Sequence, residues 1–256
     1  MKVVAIANQK GGSGKTTTSV NLAAALGEKK KKILVIDMDP QASASAWLGV
    51  TCEGKGLLDV FGNEVNLYDQ VHETNVLNVD IIPSNAWLTG IDKAMAGELG
   101  AEMVFKKAIA KLPKDKWDYI LLDCPPSFNL LCVSAFVSAS EILVPVEASA
   151  MALAGLASLV QTVERVKELL NPDIEIKHVL TCRVDTRNNI SRDIIEKVKG
   201  FFGKKVFKNS IRETVRLREA PSYAKPITTY APKSPGAEDY RAVAKEFLNR
   251  NKRKGK

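Results

Sequence analysis

Two lysines five positions apart, Lys10 and Lys15, bracket a glycine-rich run, and three aspartates, Asp37, Asp39 and Asp123, lie at or just beyond the ends of apolar runs. Cations, backbone amides and carboxylates are the parts needed to hold a phosphate chain and a divalent metal. In residues 3–18, VVAIANQKGGSGKTTT, the glycines Gly11, Gly12 and Gly14, with Ser13 among them, let successive N–H groups turn toward one anion. A helix opening near Thr16 adds unpaired N–H groups and a positive dipole end. Lys15 then reaches the β- and γ-phosphates of a nucleotide such as ATP or ADP, the Thr16 hydroxyl ligates Mg²⁺, and Thr17 continues the first turn.

The aspartates supply the remaining parts. The run 33–36 leads into Asp37-Met38-Asp39-Pro40-Gln41, at the carboxyl end of a strand, where α/β sheets bind ligands. Asp39 is placed there to orient an attacking water, and Asp37 to sit near the metal. Residues 119–122 are apolar throughout, as a strand covered on both faces requires, and they deliver Asp123 to the same edge to accept hydrogen bonds from Mg²⁺-bound water.

An ordinary phosphate loop carries glycine where this chain has Gln9, and it has no counterpart of Lys10. The pattern K-G-G-x-G-K-T-T, with D-x-D-P-Q at 37–41 and D-C-P-P at 123–126, resembles the deviant Walker A ATPases of the ParA/MinD class, and among them the ParA/Soj partition ATPases. The resemblance extends from Val3 to about Leu248 and includes the closing segment 211–237. It implies an ATP-dependent homodimer in which Lys10 crosses to the partner's nucleotide and acts as an arginine finger does. It also implies Mg²⁺-dependent hydrolysis of ATP to ADP and phosphate, binding of non-specific double-stranded DNA on the nucleoid, and stimulation by a ParB-like centromere-binding protein. A T-x-x-x-D-x-R-like segment at 181–187 would lie close to the base, but Arg183 departs from the relatives and leaves the base contacts open.

These residues need a scaffold. Apolar runs at 33–36, 79–82, 119–122, 141–146 and 174–181 read as strands, and helical spacing marks 16–26, 151–170 and 239–249. The alternation predicts a single α/β domain over 1–249, a doubly wound and mostly parallel sheet flanked by helices, with a frayed basic tail at 250–256. Trp47 and Trp87 read as core or interface aromatics.

Composition narrows the partners. The 256 residues, 45% hydrophobic, suit one α/β domain, and no apolar run approaches the roughly 18 residues that span a bilayer. The N-terminus is already the first strand, so no signal peptide and a cytoplasmic location are expected. Cys52, Cys124, Cys132 and Cys182 form no C-x-x-C pair and read as buried thiols. A net charge of +8 favours polyanions. Arg212, Arg216, Arg218, Lys225 and Lys233 fall in or beside loops, where they can reach a phosphate backbone, and no stacking ladder or reading helix accompanies them, so DNA binding should ignore sequence. Two rivals keep the ATPase: a relative that positions a protein cargo on the nucleoid, and a membrane-associated MinD type. The second needs a C-terminal amphipathic helix, and the tail NRNKRKGK has no apolar residue.

Overall fold

The computed structural model describes residues 1–149, 152–185, 187 and 189–252, with the backbone alone at 152–154. Strands β1 (Lys2–Ile6), β2 (Ile33–Asp37), β3 (His72–Glu73), β4 (Val79–Ile82), β5 (Tyr119–Asp123), β6 (Glu141–Glu147) and β7 (Ile176–Cys182) form one sheet in the order β3-β4-β2-β5-β1-β6-β7. All pairs are parallel except β3 with β4. The helices are α1 (Lys15–Gly27), α2 (Ser43–Trp47), α3 (Leu57–Phe61), α4 (Ile91–Ala94), α5 (Ala101–Ala110) and α6 (Leu130–Ser138), followed by α7 (Ala152–Leu169), α8 (Asn189–Phe202), α9 (Val215–Glu219), α10 (Ile227–Tyr230) and α11 (Pro235–Lys252). This is the expected doubly wound, mostly parallel α/β sheet.

Apolar side chains on both faces of the central strands explain the layers. Successive strand residues point to opposite faces. Val4, Ile6, Ile33, Val35 and Leu121 pack with Leu22 of α1 and Tyr240 and Phe247 of α11. Ala5, Leu34, Ile36, Ile120 and Leu122 pack with Phe105 of α5 and Phe136 of α6. Gly27 marks a close approach, since a Cβ there would stand 2.2 Å from the Leu77 carbonyl oxygen. Asn21 stitches α1 to α10, with its side-chain carbonyl accepting from the Ile227 amide at 2.7 Å.

At the other end of the sheet from the phosphate loop lies a buried carboxylate. Glu141 accepts from Lys2 at 2.8 Å and Lys177 at 2.7 Å, and it lies 3.2 Å from His178 Nε2. Burial alone would raise its pKa, but the bonds from His178, Lys177 and Lys2 hold it well below the usual carboxylate range. Lys2 also donates to the Asn251 side chain at 2.9 Å, which joins the first strand to the last helix.

Several boundaries differ from the sequence reading. The edge strand β3 is two exposed residues without apolar alternation, so nothing in the pattern announces it. The strand expected at 174–181 begins at Ile176, because Ile174 closes a turn on the Asn171 carbonyl. Helix α11 is longer than 239–249: Pro235 suits its first turn, and Arg250, expected in a frayed tail, is pinned to the Lys205 and Val206 carbonyls at 2.8 and 2.6 Å over the Phe207 ring. Trp47 is buried, whereas Trp87 is 58% exposed. Cys124, Cys132 and Cys182 are buried and Cys52 is half-buried. Met151, Thr186, Asn188 and positions 253–256 lie outside the described residues. Among the described residues no helix is long and apolar enough to cross a membrane.

Candidate nucleotide site

The carboxyl end of β1 lies between β5 and β6, the point where the chain leaves the sheet in opposite directions and where open α/β sheets take ligands. From there residues 7–14 turn into α1. Gly12 and Gly14 have φ of 73° and 94°, which side-chain-bearing residues rarely adopt, and a Cβ on Gly14 would meet Cys182 at 3.6 Å. A cleft of about 460 Å³ opens above, lined by this loop, Thr16, Thr17, Asp39, Pro126, Cys182, Tyr240 and the segment around 211–221. That size suits a small ligand.

Polar groups in its floor are incompletely satisfied. Lys15 is 7% exposed, with Nζ donating to the Lys10 carbonyl at 3.2 Å. Asp123 is fully buried; Oδ1 accepts from the Ser19 hydroxyl at 2.8 Å, while Oδ2 has no partner. The Ser13 hydroxyl is likewise buried without a partner. A buried carboxylate oxygen and a hydroxyl without partners, beside a buried ammonium, fit a phosphate–Mg²⁺ group that would complete them. Burial lowers the pKa of Lys15, with Asp123 opposing. Burial raises that of Asp123, the neighbouring Asp37 carboxylate adds to it, and the hydrogen bond from Ser19 opposes it.

Asp37 pairs in register with Asp123 but is committed elsewhere. Its Oδ2 takes both the Ser45 amide and hydroxyl, at 2.8 and 2.7 Å, and its Oδ1 the Asp39 amide at 3.1 Å. These bonds anchor the turn that presents Asp39, and they engage both oxygens of the residue expected near the metal. Asp39 itself lines the cleft, with Oδ1 accepting from the Gln41 amide at 3.0 Å and its carbonyl from Ser84.

Lys10 is held apart from this floor. Its amide donates to Asn8 Oδ1 at 3.0 Å, and its ammonium lies on the Glu147 carboxylate and on Ser149 Oγ at 2.9 Å. The other Glu147 oxygen takes Arg183 at 2.9 Å, and Arg183 also reaches Glu213 at 3.4 Å from a left-handed backbone with φ of 53°. Burial would raise the Glu147 pKa, but Lys10 and Arg183 bring it below the ordinary value. Next to Lys10, the Cβ side of Gly11 is open to at least 4 Å.

The basic residues of 211–237 divide. Arg212 lies on Asp239, with Nε and Nη2 at 2.8–3.1 Å, and on Glu238, so it is not the free loop cation expected from sequence. Arg216 and Arg218 stand on α9, both exposed, the first paired with Glu219 at 3.0 Å and the second 4.0 Å from Glu213. Lys225 and Lys233 are exposed, and the Lys225 carbonyl accepts from Trp47. The sequence pattern does not single out Asn8, Ser19 or Tyr240, and Glu147 only follows the apolar run at 141–146. A carboxylate at the carboxyl end of a buried strand was the one available signal for Glu147.

A glycine-built phosphate loop at a sheet switch point, with a buried lysine and a strand-end aspartate behind it, defines a P-loop ATPase. A family model described as an AAA domain matches residues 1–176. Sporulation initiation inhibitor protein Soj of Bacillus subtilis (strain 168) is 41% identical over 247 residues, covering 96% of this chain and 97% of that protein. Chromosome partitioning protein ParA of Myxococcus xanthus (strain DK1622) is 36% identical over 252 residues, 98% of this chain and 89% of that protein. Among solved structures, cobyrinic acid a,c-diamide synthase from Mycobacterium smegmatis with bound ATP analog and magnesium aligns with a TM-score of 0.86 at 29% identity, covering 100% of this chain and 97% of that one. The chain belongs to the Soj/ParA family of ATPases.

Proposed function

We propose that this protein is an ATP-driven DNA partition switch. In this reading two copies meet at the Lys10 face when ATP and Mg²⁺ bind, and the dimer holds double-stranded DNA on the nucleoid, in the cytoplasm, without regard to sequence. Hydrolysis to ADP and phosphate, stimulated by a ParB-like centromere-binding protein, releases it. Lys10 is the observation that carries the reading. It is a second lysine at the mouth of the loop, laid on Glu147 and Ser149 instead of in the cleft floor, beside a glycine with open space on its Cβ side.

Each residue then has a task. The amides of Gly11 to Gly14 and the Ser13 hydroxyl cradle the phosphates, and Lys15 offsets their charge. Thr16 and Asp123 would hold Mg²⁺, which supplies charge neutralisation at the β- and γ-phosphate oxygens. Asp39, steadied by its own turn and by Asp37, positions the attacking water. Lys10 stabilises charge on the phosphoryl group of the partner's nucleotide. Lys225 and Lys233 are exposed and can meet phosphates, Arg216 and Arg218 are exposed but paired with the carboxylates of Glu219 and Glu213, and Arg212 is held by Asp239.

Co-sedimentation with duplex DNA in ATP, ADP or no nucleotide, with lipid vesicles in parallel, tests this. ATP-dependent capture by DNA and none by vesicles is expected. Equal DNA capture in all three conditions, or capture by vesicles, would refute it.

A further inference from the structure

A groove of about 1270 Å³ lies away from the nucleotide cleft. It is built on the first half of β7, around Lys177 and His178, whereas Cys182 at the end of that strand lines the cleft. Lys177 and Cys182 are five strand steps apart, about 16 Å. The end of α8, the turn at 203–205 and α11 complete its walls.

Its charge is one-sided after internal pairing is subtracted. Glu246 is bound by the Lys208 and Asn209 amides at 3.0–3.2 Å and by Arg250 at 2.7 Å, and Glu175 faces Lys205 at 3.8 Å. Lys199, Lys204, Lys208 and Lys245 line the same groove, and their ammonium groups have no carboxylate partner among the described residues. At the floor His178 is 2% exposed; its Nε2 is spent on Glu141 and its Nδ1 has no partner. By contrast, Arg212, Arg216 and Arg218 each have a carboxylate within 4.0 Å, so a phosphate must displace an existing partner there.

We infer that this groove is a second contact surface for the phosphodiester backbone of duplex DNA, carrying more of the salt-dependent binding than α9 does. The inference rests on the DNA-binding part of the proposed function. It needs no base-reading group: point charges on flexible stems take phosphates in any sequence. Four unpaired lysines per subunit would release counterions on contact, and each contributes about 0.9 to the slope of log affinity against log salt.

The test is fluorescence anisotropy of a labelled random-sequence duplex over a salt series, with protein saturated in a non-hydrolysable ATP analogue. Lys204→Ala with Lys208→Ala should lower the slope by about 1.8 per subunit in contact, while the Arg216→Ala, Arg218→Ala pair lowers it less. Lys204→Arg with Lys208→Arg should restore it. Dimer formation and melting temperature should match the parent in all three. If the parent binds duplex and the groove variants keep its slope, the groove is overturned and the function stands. A parent that ignores duplex in every nucleotide state overturns both. Competition by polyglutamate as strong as by duplex at equal salt would make the groove an acidic-peptide site and overturn the DNA assignment.

Discussion

Replacing Glu147 by Gln should tighten the ATP-bound dimer. In the single chain Lys10 lies on a Glu147 carboxylate that is 17% exposed, and the lysine side chain itself is 29% exposed. Such a partly shielded pair belongs at the upper end of the range for surface ion pairs, about 1 kcal/mol. In the proposed dimer Lys10 leaves that pair in each of the two subunits, so removing the carboxylate charge should lower the cost by about 2 kcal/mol, or about 30-fold in the dimer dissociation constant. Arg183 draws on the same carboxylate at 2.9 Å, so Arg183→Ala leaves Glu147 entirely to Lys10 and should weaken the dimer a few-fold. Opposite signs from two neighbouring substitutions separate this account from simple damage to the loop. Sedimentation equilibrium with a non-hydrolysable ATP analogue measures both constants. An unchanged or weaker dimer for Glu147→Gln would refute the reasoning.

Lys15→Ala should nearly abolish ADP binding in calorimetry, while Lys10→Ala keeps ADP affinity and loses dimerisation and turnover; equal loss in both would end the division of labour. Asp39→Ala should bind ATP, stop releasing phosphate and run as a dimer on a sizing column, whereas Gly11→Val should stay monomeric. Gly27→Ala should cost about 1–3 kcal/mol, because its Cβ would stand 2.2 Å from a backbone oxygen, and a thermal melt several degrees below the parent checks it. The His178 pKa is lowered, chiefly by burial and against the pull of Glu141, so between its folded value and the unfolded value near 6.5 the unfolded chain binds more protons. Its contribution to stability is therefore complete above about pH 6.5 and lost as the pH falls, with a limit of about 1.4 kcal/mol per pH unit. Urea unfolding of His178→Gln alongside the parent should show their difference shrinking from pH 7 to 5.

The phosphate loop, the strand into Asp123 and the alternation of strands and helices were legible because each is written in adjacent residues. Backbone curvature needs its glycines in a row, and a buried strand needs its apolar run unbroken. The arrangement around Lys10 was not legible: Asn8, Glu147, Ser149 and Arg183 come together only through the β1–β6–β7 pairing. Arg212 misled for the same reason, since its partner Asp239 is 27 positions away on α11. The string D-x-D-P-Q sets Asp37 and Asp39 at one strand end, but it does not announce the Ser45 bonds that hold Asp37 while Asp39 lines the cleft.

The packing of α11 against α1 has a consequence for synthesis of the chain on the ribosome. The phosphate loop and α1 leave the ribosome early, yet the apolar surface of α1 is covered by Tyr240, Val243 and Phe247, in the last helix to emerge. The Lys2–Asn251 bond closes first strand to last helix in the same step. Until residues 235–252 have emerged, the nascent polypeptide carries an unsealed nucleotide helix that other surfaces, or chaperones, must shield. A product cut before residue 235 would lack this cover and leave the apolar face of α1 open to solvent.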